Sequence, residues 1–404
     1  MGASSCFNFC IKSEDELKNV YNIEEKKYGR KNNNEENNIL NYTNNNIDNI
    51  IEAEPKIDNK FQEFKNRFET NLPNFGNYIK KEQFSEIIPE NVRIYMTNNE
   101  FKLPNNIKIN ENIYEMPPIQ FKNKENIYEG YWNENIIMDG LGKYFIKEGN
   151  LFIEGVWDNG KAIYGRIYYP NNNIYEGYIN NSNCDGKGKI LYNTGEIYEG
   201  DFINGEIDGD GKFTFKDKTI YEGQFSKGEL NGKGIMKWPN GIVYIGYFFG
   251  GAFKGEGILE GNGGEKYEGN FLNNYFSGKG KYTFDDGSTY EGDFESGLRN
   301  GKGIYNKKDS FSYEGSWAND YAHGFGTFSF GSVNVKGIWR NGFNAEITLV
   351  EGCNINEFNH KILNFKIPEI NLKTEKLSNL MNANNIKNFS SSTNPSYLNS
   401  KENE

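Results

Sequence analysis

Histidine and cysteine are almost missing from this chain, with two of the first and four of the second in 404 residues. So sparse a set excludes a disulfide framework and fits a reducing, cytoplasmic setting. His323 and His360 have no sequence neighbours that would complete a metal cluster, and His323, just before Gly324, reads as a turn residue. Long apolar runs are missing too. The longest, Ile242 to Phe249, is far short of the roughly 20 residues that span a bilayer. Phe7 to Ile11 is too short for the apolar core of a cleavable signal peptide. A net charge of -11 leaves no strong basic field for nucleic acid or an anionic bilayer, so no nucleic-acid partner is expected. Nucleotide loops are absent as well, since no Gly-Lys-Gly run continues into Gly-Lys-Ser/Thr. Asn181-x-Asn183-x-Asp185-Gly186 imitates the start of a calcium loop but has Tyr192 where the twelfth-position acid belongs. Neither flank is long or apolar enough for a kinase or methyltransferase domain. The expectation is a non-enzyme without catalytic residues, metal or cofactor.

What is abundant is glycine, phenylalanine and tyrosine, 46, 30 and 27 residues respectively. They fall into one recurring phrase, aromatic-x-Gly-x-aromatic followed by Gly-x-Gly. Clear copies are Tyr198-Glu199-Gly200-Asp201-Phe202, Tyr221 with Gly223 and Phe225, Tyr267 with Gly269 and Phe271, and Tyr290 with Gly292 and Phe294. Tyr175 with Gly177, and Tyr313 with Gly315 and Trp317, keep the frame. Seven tyrosines from Tyr175 to Tyr313, Tyr244 included, follow at steps of 23 residues, and further copies start at Tyr128, Ile153 and Val335. A fixed period of this size means a repeat array.

In extended chain, alternate residues share a face. Tyr198, Gly200 and Phe202 therefore lie on one face, with Glu199 and Asp201 on the other. The Gly-x-Gly begins eleven residues after the tyrosine and leads into a second apolar alternation, such as Phe213 and Phe215. Asn204-Gly205 lies between the two strands, and Pro239-Asn240-Gly241 or Asp285-Asp286-Gly287 marks the turn after the second. Each copy is thus a β-hairpin, and the whole an antiparallel meander. Glycine weakens a strand unless another group must come close, so aromatic rings are expected to lie across these glycines and serve as the core of a single layer. Ten hairpins at about 4.8 Å per strand give a ribbon on the order of 100 Å long. Such arrays take their stability from nearest-neighbour contacts.

Tyr-Glu-Gly-x-Phe/Trp with Gly-x-Gly on a 23-residue frame resembles the MORN (membrane occupation and recognition nexus) repeat, over about residues 125–345. The lead-in Met116-Pro117-Pro118-Ile119 also resembles the start of such arrays. The resemblance implies an all-β, elongated single-layer meander of stacked hairpins that acts as a scaffold or adaptor, often at membranes or the cytoskeleton, with dimers in some members. Three places depart from the pattern. Tyr164-Gly165-Arg166 stands where Gly-x-Gly is expected, Ile245-Gly246 replaces Glu-Gly, and the copy at Val335 never completes its Gly-x-Gly and reads as a cap.

The chain accordingly divides into an acylation-like start with an Asn-rich disordered linker (1–55), a short helix and lead-in (56–120), the array (121–350) and a polar, mostly disordered tail (351–404). Met1-Gly2-Ala3-Ser4-Ser5-Cys6 resembles an N-myristoylation start, although Cys6 stands where serine or threonine is usual. One myristoyl chain holds a membrane weakly. Cys6 and Cys10 are placed for palmitoylation as the second signal, with a small cluster of lysines and Arg30 beyond. Phe61, Phe64 and Phe68 fall at helical spacing, leaving open packing on the array or binding a partner. Residues 84–115, broken by Pro89 and Pro104, are expected to dock against the first hairpins, and a weak helix is expected around Glu375–Met381. Lys187, Lys233, Lys279 and Lys302 sit within Gly-Lys-Gly turns. Cross-strand pairing on a solvated face is favoured for them over a phosphoinositide site. Two functions remain. One is a scaffold tethered to a membrane, peripheral or cytoskeletal, and presenting its ribbon to protein partners. The other is an unanchored regulatory subunit or adaptor of a separate enzyme, such as a lipid kinase, or of a ciliary complex.

Overall fold

The computed structural model describes residues 59–180, 183–352, 367–370 and 372. The chain divides into two units, Met1–Asp58 and Asn59–Glu404, of which the second holds these residues. Gly2, Cys6, Cys10, the Asn-rich stretch, His360 and the helix expected at 375–381 lie outside them.

The described residues of the second unit form one antiparallel sheet of 22 strands with three helices at the N-terminal end. The order is α1 (Asn59–Phe75), β1 (Gly76–Tyr78), α2 (Lys81–Ile87), α3 (Glu90–Asn98), then β2 (Ile113–Phe121) and β3 (Ile127–Asn133). Next come β4 (Met138–Ile146), β5 (Leu151–Asp158), β6 (Lys161–Tyr168) and β7 (Ile174–Asn180). Strands β8 to β22 run on alike, from Asn183–Leu191 to Phe343–Glu351, each pairing with the next. The sheet starts earlier than the sequence frame. The Met116–Ile119 lead-in belongs to β2, which pairs with both β1 and β3.

Within each copy the first turn is a tight reversal. Asn204 and Gly205 have φ of +50° and +87°, the pair of positive angles a type I′ hairpin needs. The second turn closes with Gly241 N–H donating to Trp238 O at 3.0 Å, and Gly287 N–H to Phe284 O at 3.0 Å. The Gly-x-Gly, in contrast, is not a turn. Its residues lie inside the second strand, where the first glycine takes φ between +64° and +113° and interrupts the ladder with its own hairpin partner. The ladder with the following strand stays in register, as in Gly186↔Phe202 and Lys187↔Asp201. One β-bulge per copy results, at a position that requires glycine. His323 and Asp185 are strand residues for the same reason, beside a bulge rather than at a loop.

At Tyr164-Gly165-Arg166 the copy is one residue shorter. Gly165 pairs directly with Gly155, so it stands in for the second glycine, while no bulge glycine is needed.

The face bearing the recurring aromatics, here the inner face, holds one continuous buried cluster from Met116 to Trp339. The helices make the N-terminal end different. Phe64, Phe68 and Leu72 of α1 join the inner cluster, with Phe68 at 5.1 Å from Trp132 and Phe64 stacked at 4.4 Å on Tyr114. That resolves the open choice for α1: it packs on the array, with Phe61 at the exposed margin. Helices α2 and α3 cover the opposite face, where Phe84, Ile88 and Val92 pack on a cross-strand row of Ile127, Phe145, Phe152 and Tyr168. At β3 the single layer is therefore three layers thick.

Candidate protein-interaction surface

The inner face shows why each recurring residue recurs. The first-position tyrosine folds back along its own strand, and its hydroxyl donates to the carbonyl three residues on. This bond is 2.6–3.1 Å in the copies at Tyr128, Tyr175, Tyr198, Tyr221, Tyr244, Tyr267, Tyr290 and Tyr313. The ring then lies over the glycine two residues on and over the second glycine of the partner strand. A Cβ on Gly234 would stand 2.5 Å from Tyr221 Cε2, and one on Gly280 would stand 2.5 Å from Tyr267 Oη. The fifth-position aromatic completes the unit. Phe202 meets Tyr198 edge-on at 5.2 Å, and Tyr198 meets Phe225 of the next copy at 5.1 Å. These edge-to-face contacts repeat between copies through Tyr175–Phe202, Tyr221–Phe248, Tyr244–Phe271, Tyr267–Phe294, Tyr290–Trp317 and Tyr313–Trp339, at 4.9–5.2 Å. Each such pair adds about 0.5–1.5 kcal/mol beyond its buried area. Burial holds every one of these hydroxyls above the ordinary tyrosine pKa. Cys184 is buried in the same layer, and its thiol is pushed up to about 12 by that burial, too high for a reactive thiolate.

The outer face carries the charge. Of the four Gly-Lys-Gly lysines, Lys187 binds Asp201 at 2.8 Å and Lys279 binds Asp293 at 2.7 Å, each the direct cross-strand neighbour. Lys302 donates to Ser316 Oγ at 2.9 Å, and Lys233 sits 5.5 Å from the centre of the Tyr247 ring. The Asp293 carboxyl lies below the usual range because Lys279 donates to it and the Lys302 backbone N–H adds a second bond.

Two arginines are buried, one on each face. Arg166, at the ladder position held by Lys189 and Lys212 in later copies, lies between Glu154 at 3.3 Å and Glu176 at 2.5 Å on the outer face. It donates to the carbonyls of Asn99 and Glu100, which follow α3. Burial works against its charge, but the hydrogen bond and charge of Glu176 outweigh it and raise its pKa. The sequence departure is thus a clamp holding the helical end to the sheet. Arg299 is on the inner face, 1% exposed, and burial lowers its pKa against the opposing pull of Asp320.

A second feature escaped the sequence frame. Residues 367–372, within the stretch expected to be a disordered tail, include Ile370 and Leu372 buried in the inner cluster. Leu372 N–H donates to Tyr282 Oη at 3.3 Å. The isoleucine–leucine alternation was the signal available, set in a stretch otherwise too polar to stand out.

Among the described residues no group of three or more His, Cys, Asp or Glu could hold a metal ion. No described helix is long and apolar enough to cross a membrane.

The MORN repeat family matches residues 175–197, 198–220, 221–243, 267–289, 290–310 and 313–332. The copy between, 244–266, keeps the inner frame of Tyr244, Gly246, Phe248 and Gly257. It departs on the outer face, where Ile245, Tyr247 and Phe249 continue an apolar strip from Val243, with Tyr247 and Phe249 exposed. No curated protein matches the chain. Among solved structures, the chain is similar to the TCP10 domain of Danio rerio CPAP at 14% identity, covering 44% of this chain and 84% of that one, with a TM-score of 0.28. It is similar also to the TCP10c domain of Drosophila melanogaster Sas-4 at 16% identity, covering 41% and 90%, with a TM-score of 0.22. Likenesses this remote carry no argument about function.

Proposed function

Residues 175–332 carry six MORN repeats, and we propose that the chain is a non-catalytic scaffold, tethered to a membrane through its N-terminus, that presents its sheet to protein partners. One observation carries the reading. The residues that recur are consumed by the fold: tyrosine hydroxyls bond main-chain carbonyls and the rings cover glycines. No recurring tyrosine, glycine or fifth-position aromatic is left for chemistry, whereas the outer face combines the recurring glutamate with residues that vary from copy to copy, where a partner would read them. The tether rests on Gly2 with Cys6 and Cys10, two acyl signals where one would bind weakly.

The test is the intact mass of the N-terminal peptide from cell-derived protein, together with membrane fractionation of the wild type and Gly2→Ala. The expected result is a lipid mass on the wild type and a shift of the variant to the soluble fraction. An unmodified N-terminus with unchanged fractionation removes the tether and leaves an unanchored adaptor, with the array as its own targeting element.

A further inference from the structure

Two inner-face positions break the repeat frame near each other, and both meet the same foreign segment. Seventeen residues after the first-position tyrosines Tyr175, Tyr198, Tyr221 and Tyr267 the inner face carries a ring, Tyr192, Phe215, Trp238 and Phe284, while Tyr290 is followed there by Lys307. Gly261 interrupts the row. A Cβ there would stand 2.9 Å from Leu372 Cδ2, so Leu372 fills the volume that a ring takes in neighbouring copies. Nine residues after the tyrosine the frame is apolar, as Ile207, Leu230, Phe253 and Phe276, until Arg299. Its guanidinium lies 5.0 Å from the Trp317 ring centre, and its Nε bonds Asp320 Oδ1 at 3.1 Å. Its Nη2 donates to the Pro368 carbonyl at 3.2 Å, while Nη1 has no partner among the described residues. A buried cation is costly unless its donors find acceptors. An arginine in a row of apolar residues makes physical sense where a main-chain carbonyl is brought to it.

The segment Ile367-Pro368-Glu369-Ile370-Asn371-Leu372 matches these features. Ile370 and Leu372, alternate residues in the sequence, are both buried. The sheet grips the main chain at two points, the Pro368 carbonyl and the Leu372 N–H. This is recognition of an extended peptide by spaced apolar sockets and main-chain hydrogen bonds.

We propose that the inner face between Gly261 and Arg299 is a peptide-reading groove, occupied in this chain by its own Ile367–Leu372, and that a protein partner engages by displacing this segment with an extended one of the same apolar spacing. The inference rests on the scaffold reading and gives it a surface, a partner chemistry and a closed state. Because the plug is on the same chain, a competing segment faces an effective concentration on the order of millimolar.

The test uses a fluorescently labelled synthetic peptide spanning residues 364–375 of this chain, titrated by anisotropy. The Ile370→Asp/Leu372→Asp double variant of the full chain keeps its length but cannot hold its own plug. It should bind the peptide about tenfold or more tighter than the wild type does. Adding Arg299→Leu, the residue of the equivalent position at Leu230, or Gly261→Phe, which fills the slot, should reverse that gain. Equal binding by wild type and double variant, or no binding by a double variant with an intact β-sheet circular dichroism spectrum, overturns the proposal. Should the double variant fail to fold, Gly261→Phe in the otherwise wild-type chain decides. Hydrogen exchange at the Leu372 amide should accelerate in it, and unchanged protection overturns the groove. Failure here with Gly2-dependent fractionation intact removes the groove alone, whereas loss of the tether leaves peptide binding by purified protein untouched.

Discussion

The N-terminal and central parts of the sheet solve the same problem in opposite ways. At the N-terminal end the sheet is buried by bringing up other elements, α1 on the inner face of β2 and β3 and α2 with α3 on the outer face of β3 to β6. Between Ile197 and Thr289 no described helix covers either face, and the inner face is buried by its own rings lying flat over glycines, with Leu372 added beside Gly261 and Tyr282. The first solution depends on shape-matched contacts that occur once. The second repeats one contact set, so its stability is spread over neighbours. The sequence of β5 carries the mark of the difference. Leu151, Phe152, Ile153, Val156 and Trp157 are apolar on both faces, as in a strand covered on both sides, whereas Ile197–Ile203 alternates.

The largest expected effect is alkaline, and it tests whether the two regions share the buried-tyrosine device. The first-position tyrosines have folded pKa values above their ordinary one near 10. Above that pH the unfolded chain releases protons that the folded chain keeps, so their contribution, complete below pH about 10, falls by about 1.4 kcal/mol per tyrosine per pH unit. Burial raises Tyr128, Tyr164 and Tyr168 of β3 to β6 as well, so both regions should come apart as pH rises above about 10, detected by site-resolved hydrogen exchange together with tyrosinate absorbance. Tyrosines that titrate freely near pH 10 with the sheet intact would contradict this.

A paired substitution comes next in size. Phe68→Ala empties a fully buried site between α1 and Trp132 and should cost about 3–5 kcal/mol. Its exchange effects should be confined to residues 59–168. Gly234→Ala drives a methyl group into the Tyr221 ring and should cost about 1–3 kcal/mol, with faster exchange in both adjoining copies. Similar spread from the two changes would contradict local packing at one end and shared packing in the middle.

The smallest effect is expected on the outer face. Asp293→Asn, at the Lys279 partner, should cost less than about 1 kcal/mol, and less still in high salt. Because the Asp293 pKa is depressed, its contribution is present above the ordinary carboxylate range and lost as pH falls through the folded value. Thermal melts of wild type and variant at pH 7 and pH 3 should converge at the lower pH.

The array was legible from sequence because its physics is periodic. The 23-residue step carried the hairpins, and the glycines between aromatics carried the ring-over-backbone core. The spacing of Phe61, Phe64 and Phe68 carried α1. What the period could not carry was anything that occurs once. The clamp at Arg166 and the seating of Ile370 and Leu372 depend on which segments arrive beside a face. Even the Gly-x-Gly, plain in sequence, reads as a turn until the ladders show a bulge. Gly261 and Arg299 were visible as irregular letters, but their meaning lay in a segment about 70 to 110 residues away.

The edge-to-face contact from each tyrosine to the next copy's aromatic also fixes how such a molecule can change length. Removing 23 residues from the middle brings Tyr198 against Phe248 in place of Phe225, with the same kind of ring, bulge and turn on either side. Removing 22 reverses which residues face inward for everything downstream, unless a bulge absorbs the slip. Length is therefore an inheritable quantity counted in whole copies, and a lineage can lengthen or shorten this sheet by duplication or loss without redesigning a single contact.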